Sequence, residues 1–287
     1  MSIAAVTREL LVRYLDTWAP GSVRATHGAT FLQASGTPLD EDIAEAALRT
    51  LAEFADRLNG RRLSLLFVAP GAETLGGRLQ ELQRDLRTPP ELTVHVVPGT
   101  AVGAVLKAAG AGAGPLLAMI DDTVAKELKA KPAEVLLTAP TGTWSAQREQ
   151  LAGGGFELTA GVELVDGPDE LLIGFGTRSA KSLEAFKTEM WALDEYAGVR
   201  YRDPSDPEGH LMDISLEPNP GALRRELLET LRDGPRTVTE LRHFALTRTV
   251  YRSTDALKVI MALLHAGLVT RTPEAGRLGG DVTVTLR

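Results

Sequence analysis

The chain contains no cysteine, few aromatic residues and no long apolar run. The absence of cysteine from its 287 residues excludes disulfides, Cys-ligated zinc, iron–sulfur clusters and thiolate nucleophiles. Charged residues interrupt every apolar stretch before the roughly 18 residues that a membrane span needs, and the first residues lack a signal-peptide pattern. Aromatic residues make up only 5%, which favours helix and α/β layering over an aromatic-rich β-sandwich. We therefore expect a soluble, cytoplasmic protein with no membrane partner.

Charge is divided unevenly along the chain, whose formal net charge is −7. Residues 219–287 hold 11 Lys and Arg against 7 Asp and Glu, whereas the preceding 218 residues hold 20 against 31. Prolines and turn formers cluster between Asp203 and Gly221 and oppose regular structure there. We place a domain boundary near residue 217, which separates an acidic body (1–217) from a basic C-terminal unit (218–287).

Strands and helices alternate through the acidic body. Apolar runs predict strands at Ala29–Ala34, Leu63–Val68, Leu92–Val97, Leu116–Ile120, Glu134–Thr138 and Leu171–Gly176. Helical spacing of apolar residues predicts helices at Arg8–Trp18, Asp40–Leu58, Leu75–Leu86, Val102–Ala109, Thr123–Lys129 and Ala180–Tyr196, with Pro20-Gly21 ending the first. This order predicts a doubly wound, Rossmann-like α/β fold with a parallel sheet between two helix layers.

Ligands of such sheets bind beyond the carboxyl ends of the strands, where the strand order reverses. The turn after the first strand places Ser35 and Gly36 there, and the second strand ends at Ala69. A phosphate- or cofactor-binding turn uses two or three glycines, and an acidic residue after the second strand holds a ribose. Because this chain has one glycine and no such acid, the pattern argues against an ordinary dinucleotide or adenosyl site.

Asp121 and Asp122 form the main polar cluster at this edge. Two carboxylates at a strand end suit a metal or a general base, whereas Asp122 also suits the N-cap of a following helix. Both interpretations stay open. The five histidines, which lack HxH or HxxxH spacing and so predict no metal site, are His27, His95, His210, His243 and His265. Ser35-Gly36 also lacks the Gly-x-Ser-x-Gly elbow of hydrolases.

Two stretches, 7–18 (TRELLVRYLDTW) and 173–194 (IGFGTRSAKSLEAFKTEMWALD), resemble the three-Cys-motif partner proteins. The second, with its Lys–Met–Trp–Asp pattern, is the more specific, and the similarity extends over most of the chain. The resemblance implies the fold of class I S-adenosylmethionine-dependent methyltransferases. In that family an Asp-Gly-Phe-Ala-Gly-Pro-Gly-like turn follows the first strand and an Asp-Pro-type turn follows the fourth.

This chain departs from the family at both turns. It has Gln33-Ala34-Ser35-Gly36-Thr37-Pro38 at the first and Asp121-Asp122 at the second, so only Gly36 and Asp121 match the family's cofactor-binding and catalytic positions. S-adenosylmethionine is the cofactor that the resemblance implies, and these departures count against it. The cofactor is left unassigned, and a decayed methyltransferase scaffold fits the residues better than a working enzyme.

The C-terminal unit has the pattern of a winged helix. Its predicted helices span Ala222–Leu231, a segment from Thr237 or Thr239 to Phe244, and a segment from Ser253 or Thr254 to His265. The predicted strands are Leu268–Thr272 and Val282–Leu286. Winged helices commonly read DNA through the third helix and the wing. The basic residues that we expect to face phosphates are Arg248, Arg252, Lys258, Arg271 and Arg277.

Three functions remain open at this level. The first is a nucleic-acid-associated protein, binding DNA or RNA through the winged helix, with a degenerate methyltransferase-like domain. The second is an active S-adenosylmethionine-dependent methyltransferase or another enzyme acting in the cleft, with Asp121 and Asp122 as its catalytic candidates. The third is an adaptor without catalysis, whose C-terminal unit forms a homodimer or contacts another protein.

Overall fold

The computed structural model describes residues 2–25, 28–129, 133–193 and 198–287 and centres on a nine-stranded sheet. The strands of this sheet are β1 (Ala29–Ala34), β2 (Leu63–Ala69), β3 (Leu92–Pro98), β4 (Leu116–Asp121), β5 (Ala133–Ala139), β6 (Leu158–Asp166), β7 (Asp169–Thr177), β8 (Arg200–Arg202) and β9 (Leu211–Asp213). Its helices are α1 (Ile3–Ser22), α2 (Glu41–Ala52), α3 (Glu73–Asp85), α4 (Val102–Ala108), α5 (Trp144–Gly153) and α6 (Ala180–Trp191).

The strand order across the sheet is β3-β2-β1-β4-β5-β7-β6-β8-β9. Strands β1 to β5 are parallel, and β7, β6, β8 and β9 continue the sheet with antiparallel pairings. The order reverses between β1 and β4, where Ala34 lies opposite Ile120. This layered α/β arrangement confirms the predicted fold class at the level of a Rossmann-like body.

Alternate residues of each strand face opposite layers, as the pleat of a strand requires. Phe31 and Phe67 pack with α1, α2, α3 and α6 on one face. Leu32 and Val68 face the other layer, which contains Val102 of α4 and Trp144 of α5. Both faces of β1 and β2 are therefore buried, which explains why most of their residues are apolar.

Several predicted boundaries are wrong. Helix α1 continues through Pro20 to Ser22, so Pro20-Gly21 does not end the helix where we predicted. The expected helix over 123–129 is one 3-10 turn, Ala125–Glu127, and the helix expected to Leu58 ends at Ala52 before a similar turn. Helix α5 and strand β6 were not predicted. The predicted helix end at Tyr196 lies outside the described residues, as does His27.

The C-terminal unit contains three helices and a three-stranded sheet. Its elements are α7 (Gly221–Arg232), β10 (Arg236–Thr237), α8 (Val238–Arg248), α9 (Ser253–His265), β11 (Val269–Thr272) and β12 (Thr283–Leu286), with strand order β10-β12-β11. Thr237 caps α8 in a reciprocal box with Glu240, as one of the two predicted caps requires. The prediction that Ser253 or Thr254 caps α9 is wrong, because Arg252 occupies that position.

The apolar core continues across the expected boundary at residue 217. Trp191 of the acidic body and Tyr251 of the C-terminal unit stack with ring centroids 5.9 Å apart, and both are buried. Strand β9 forms inside the proline-rich segment that we expected to be irregular, because its backbone pairs with β8. None of the helices that the structure describes combines the length and apolar character that a bilayer crossing requires.

Candidate functional site

Asp121 joins the turns that follow β1 and β4, the two strands at the reversal point of the sheet. Its Oδ2 accepts hydrogen bonds from Ser35 Oγ at 2.6 Å and from the Gly36 N–H at 2.9 Å. Its Oδ1 accepts from the Thr123 hydroxyl at 2.6 Å and from the Thr123 N–H at 3.2 Å. Both carboxylate oxygens are therefore engaged by the chain itself.

These hydrogen bonds also determine the charge of Asp121. Partial burial opposes ionisation, but donors from Ser35, Thr123, Gly36 and the Val124 backbone outweigh it and lower the pKa of the Asp121 carboxyl below its ordinary value. A general base at neutral pH works best when its pKa is close to the operating pH. The environment of Asp121 instead moves its pKa further from neutral pH, which suits a carboxylate that holds two loops together.

Gly36 is a glycine because the two turns approach closely. A Cβ atom at this position would overlap Thr123 Oγ1, the same hydroxyl that donates to Asp121. Gly36 therefore has a packing role in this structure. The turns after β1 and β4 pack against each other here, and the Gly36 N–H donates to Asp121.

Asp122 and Ala69 lie apart from this cluster. The Asp122 N–H donates to the Thr138 carbonyl at 3.1 Å, which extends the pairing of β4 with β5. No α-helix begins directly after Asp122; the next helical element is the 3-10 turn Ala125–Glu127, whose N-cap is Val124, so the helix-cap interpretation of Asp122 is wrong. Ala69 is fully buried, and its carbonyl accepts from the Gly99 N–H at 3.0 Å.

A cavity of about 490 Å³ opens beside the Asp121 cluster. It is bounded by the start of α1, the end of β1, the start of α2, the ends of β4 and β5, and the start of β7. The structure places Ser35 and Asp121 in its lining, together with carboxylates that spacing did not indicate: Asp40, Asp169 and Glu170. Gly36, Ala69 and Asp122 are not among the described residues that line it.

Arg202 of β8 fixes one of these carboxylates. Its guanidinium donates to Glu170 at 2.7 and 3.1 Å and to Glu163 at 2.6 Å. Hydrogen bonds from Arg202 and Thr141 lower the pKa of the Glu170 carboxyl, which keeps it ionised at the cavity rim. Sequence reasoning missed Arg202 because its partners lie 32 and 39 residues away.

Gln33, also in the cavity lining, is the second side chain that sequence reasoning missed. It is only 4% exposed, and its Oε1 atom has no hydrogen-bond partner among the residues that the structure describes. Leaving a buried acceptor unpaired costs about 1–3 kcal/mol. The sequence feature that could have indicated Gln33 is a glutamine within the mostly apolar strand β1, which leads to the reversal point of the sheet.

The five basic candidates of the C-terminal unit occupy different environments. Arg252 is 9% exposed, binds Asp255 through two contacts of 2.8 Å, and donates to the Leu216 carbonyl at 2.8 Å. Lys258 is exposed and pairs with Glu217 at 3.2 Å.

The other three basic candidates are Arg248, Arg271 and Arg277. Arg271 donates to three carbonyls of the loop between β11 and β12, which orders that loop. Arg248 and Arg277 are exposed. Arg248 shares a shallow groove of about 290 Å³ with Arg148 and His243, and Glu157 also lines it.

Side chains of α6 in the acidic body bind the segment that connects α8 to α9. The Lys187 ammonium is fully buried, and its three N–H groups are shared among the carbonyls of Ala245, Leu246, Thr249 and Tyr251, which lie 2.5–3.3 Å from Nζ. Two other α6 side chains bind the same connection: Trp191 Nε1 donates to the Val250 carbonyl at 3.1 Å, and Glu184 accepts from the Ser253 N–H at 3.0 Å.

Lys187, Met190 and Trp191 belong to the Lys–Met–Trp–Asp pattern singled out in the sequence, whose Asp194 lies outside the described residues. Burial lowers the pKa of Lys187 to about 7, against the opposing effect of nearby carboxylates that include Glu184 and Asp203. This part of the pattern has a clear structural role, because it binds the C-terminal unit to the acidic body.

A cluster of three side chains of the types that bind metal ions lies outside the cavity. Ligand atoms of Asp206, Glu208 and His210 fall within 4.8 Å of one another on the loop before β9. The His210 ring already contacts Asp206 at 2.8 Å and Glu208 at 3.3 Å. The search for HxH and HxxxH spacing missed this group because two of its members are carboxylates.

Comparison of the chain with protein-family models and with curated proteins finds no match.

Proposed function

We propose that the chain is a nucleic-acid-associated protein whose C-terminal unit is a winged helix and whose methyltransferase-like body no longer transfers methyl groups. The observation that carries the proposal is the order of elements in the C-terminal unit. The order helix, short strand, two helices and hairpin, with the short strand β10 beside β12, supports a winged helix. Winged helices commonly bind nucleic acid.

Charge supports the same proposal. The C-terminal unit carries an excess of basic residues on an otherwise acidic chain, and a basic surface is the electrostatic requirement for phosphate contact. Arg248 and Arg277 are exposed, and Arg148 lines the same groove as Arg248. Because Glu184 binds the start of α9 and Arg252 is buried, we propose that contact is made through Arg248 and the loop of Arg277.

The sheet of the body supports a methyltransferase ancestry. The order β3-β2-β1-β4-β5-β7-β6, which reverses between β1 and β4, is consistent with the Rossmann-like fold that the resemblance implies. However, Asp121 and Gly36 bind each other where the family's cofactor turn would be open, and the second strand ends in Ala69 without an acid. These features favour a scaffold over a working enzyme.

Fluorescence anisotropy with a labelled DNA duplex and a labelled RNA strand tests the nucleic-acid proposal. We expect saturable binding at low salt that weakens as salt rises, because released counterions drive the association. The double substitution of Arg248 and Arg277 by alanine should reduce the salt slope by about 2, one per lost phosphate contact. Arg232→Ala is the matched control, since Arg232 is exposed but already paired with Glu229. Undetectable or salt-independent binding contradicts the proposal.

The strand order and the cavity favour one enzymatic alternative, methyl transfer in the cleft. Calorimetry with S-adenosylmethionine separates it from the scaffold proposal. Saturable binding that disappears in Asp121→Ala would support the enzyme, and no heat at millimolar cofactor would exclude it.

Exposed apolar side chains favour a second alternative, a dimerising adaptor. Leu216 is 64% exposed and Met261 of α9 is 47% exposed. Such side chains mark contact surfaces when they are contiguous. Light scattering after size exclusion measures the mass, and a concentration-dependent dimer that Met261→Glu dissociates would support this alternative.

A further inference from the structure

The groove that contains Arg148 and Arg248 is built by both units of the chain. Four side chains of α8 form its C-terminal wall, namely His243, Phe244, Thr247 and Arg248. The acidic body forms the other wall with Arg148 of α5 and with residues 157–159 at the start of β6. We call this surface the α5–α8 groove. Because each unit supplies one wall, a ligand in the groove contacts both units.

The arginines of the α5–α8 groove are available to an anion. Arg148 and Arg248 are exposed, and neither forms an ion pair within the part of the chain that the structure describes. Glu157 also lines the groove, but its carboxylate is paired with Arg178 through contacts of 3.1 and 3.2 Å. The groove is therefore locally basic on a chain whose formal net charge is −7, and it attracts a polyanion.

An aromatic ring lies next to one of these cations. Phe244 is only partly buried, and it lies one helical turn before Arg248 on the same face of α8. Proteins that bind single-stranded nucleic acid combine a basic groove along the backbone with aromatic rings on which bases stack. The neighbouring ring and guanidinium on α8 provide both elements.

Helix α9, by contrast, is poorly placed to read a duplex. A recognition helix contacts base edges with its N-terminal residues. Here the Ser253 N–H donates to Glu184 of the body at 3.0 Å, and Asp255 is buried. The only lysine or arginine in the sequence of α9 is Lys258, which is paired with Glu217 at 3.2 Å. These contacts favour the α5–α8 groove over α9 as the nucleic-acid site.

We propose that the α5–α8 groove binds single-stranded nucleic acid. A base stacks on Phe244, and phosphates on either side of that base contact Arg148 and Arg248. This inference rests on the proposed function and narrows it to one class of partner. It also gives the acidic body a direct part in binding, through Arg148.

Fluorescence anisotropy of the full chain tests the preference for a single strand. The probes are a labelled DNA strand of about 16 nucleotides without self-complementarity and the duplex that it forms with its complement. We expect the single strand to bind at least about tenfold more tightly than the duplex at the same salt concentration. Equal or tighter binding of the duplex overturns this inference and leaves the proposed function standing, whereas absence of binding to either probe contradicts both.

Arg148→Glu tests the contribution of the body. Replacing a phosphate contact by a like charge should weaken single-strand binding at least about tenfold. Arg84→Glu is the matched control, because it makes the same change in net charge on the exposed surface of α3, where the Arg84 side chain is 75% exposed. Unchanged binding in Arg148→Glu, or an equal loss in both variants, overturns the inference.

Substitution of Phe244 tests the stacking contact. Phe244→Leu keeps an apolar side chain against the core but removes the ring, so single-strand binding should weaken at least about fivefold. Phe244→Tyr keeps the ring and should bind as the parent does. Thermal midpoints of both variants report whether the C-terminal unit stays folded. Parent-like binding in Phe244→Leu, or the same loss in Phe244→Tyr, contradicts the assignment of a base to this ring.

Discussion

Replacing Arg252 by alanine is expected to destabilise the protein rather than to remove a phosphate contact. The guanidinium binds both carboxylate oxygens of Asp255 at 2.8 Å and also donates to the Leu216 carbonyl. Arg252 is 9% exposed and Asp255 is 6% exposed. The pair therefore stabilises the start of α9 and its connection to the segment before residue 217.

The magnitude follows from the burial of the pair. Arg252→Ala leaves the Asp255 carboxylate buried with only the backbone N–H of residue 252 at 3.0 Å, and removing one partner of a buried ion pair costs about 3–5 kcal/mol. An exposed pair is worth only about 0–1 kcal/mol. Because a domain has a total free energy of unfolding of about 5–15 kcal/mol, this loss is large.

Urea unfolding followed by circular dichroism measures this loss. Arg248→Ala is the matched control, because Arg248 is exposed near the same connection and its loss should change the free energy of unfolding by no more than about 0.5 kcal/mol. If Arg252→Ala stays within about 1 kcal/mol of the parent and instead abolishes nucleic-acid binding, the structural role assigned to Arg252 is refuted.

A paired substitution tests the same reasoning from the other side. Replacing Arg252 by methionine and Asp255 by leucine together removes both charges and keeps the site apolar. Well-packed apolar side chains often replace a buried ion pair at little cost, so the double variant should be more stable than Arg252→Ala. The remaining loss should be about 1 kcal/mol, because the Asp255 hydrogen bond to the helix start is also removed.

Three further predictions concern packing and titration. Gly36→Ala should lower the free energy of unfolding measured in urea by about 1–3 kcal/mol, because the new Cβ overlaps Thr123. Gly77→Ala on the open face of α3 should raise that free energy by about 0.5–1 kcal/mol. Burial lowers the pKa of Lys187 from 10.5 to about 7, so the unfolded chain binds more protons than the folded chain between these pH values. Thermal melts should therefore show stability rising from pH 7 to pH 10.5, and Lys187→Met should remove that rise. Burial and the nearby Asp203 carboxylate raise the pKa of Glu226 from 4.5 to about 7, so stability should fall between these values, and Glu226→Gln should flatten the fall.

The order of strands and helices was largely predictable from the sequence. The apolar runs of β1, β2 and β4 are buried on both faces, and such runs between turn residues indicate interior strands of a parallel sheet. Thr237 followed by Glu240 likewise indicates a helix start from local spacing alone. These features depend on neighbours within a few positions of the chain, which is why periodicity reveals them.

The expected helix over 123–129 failed for a reason outside that segment. Thr123 binds Asp121 through its hydroxyl and its N–H, which holds the backbone in a turn after β4. Asp121 in turn accepts from Ser35, 86 residues earlier in the sequence. Helical propensity was overridden by a tertiary contact, and the gain in hydrogen bonding explains the difference.

The layered α/β body, the helical and hairpin pattern of the C-terminal unit, and the separation of acidic from basic charge follow from local sequence patterns. The roles of the polar residues depend instead on contacts between distant segments. The Lys187 ammonium donates to the Tyr251 carbonyl across 64 residues of sequence, and Gln33 lines a cavity whose walls come from six helices and strands. Burial and hydrogen-bond partners arise from contacts between distant segments, and those contacts assign Arg252 to the core and leave Arg248 and Arg277 at the surface.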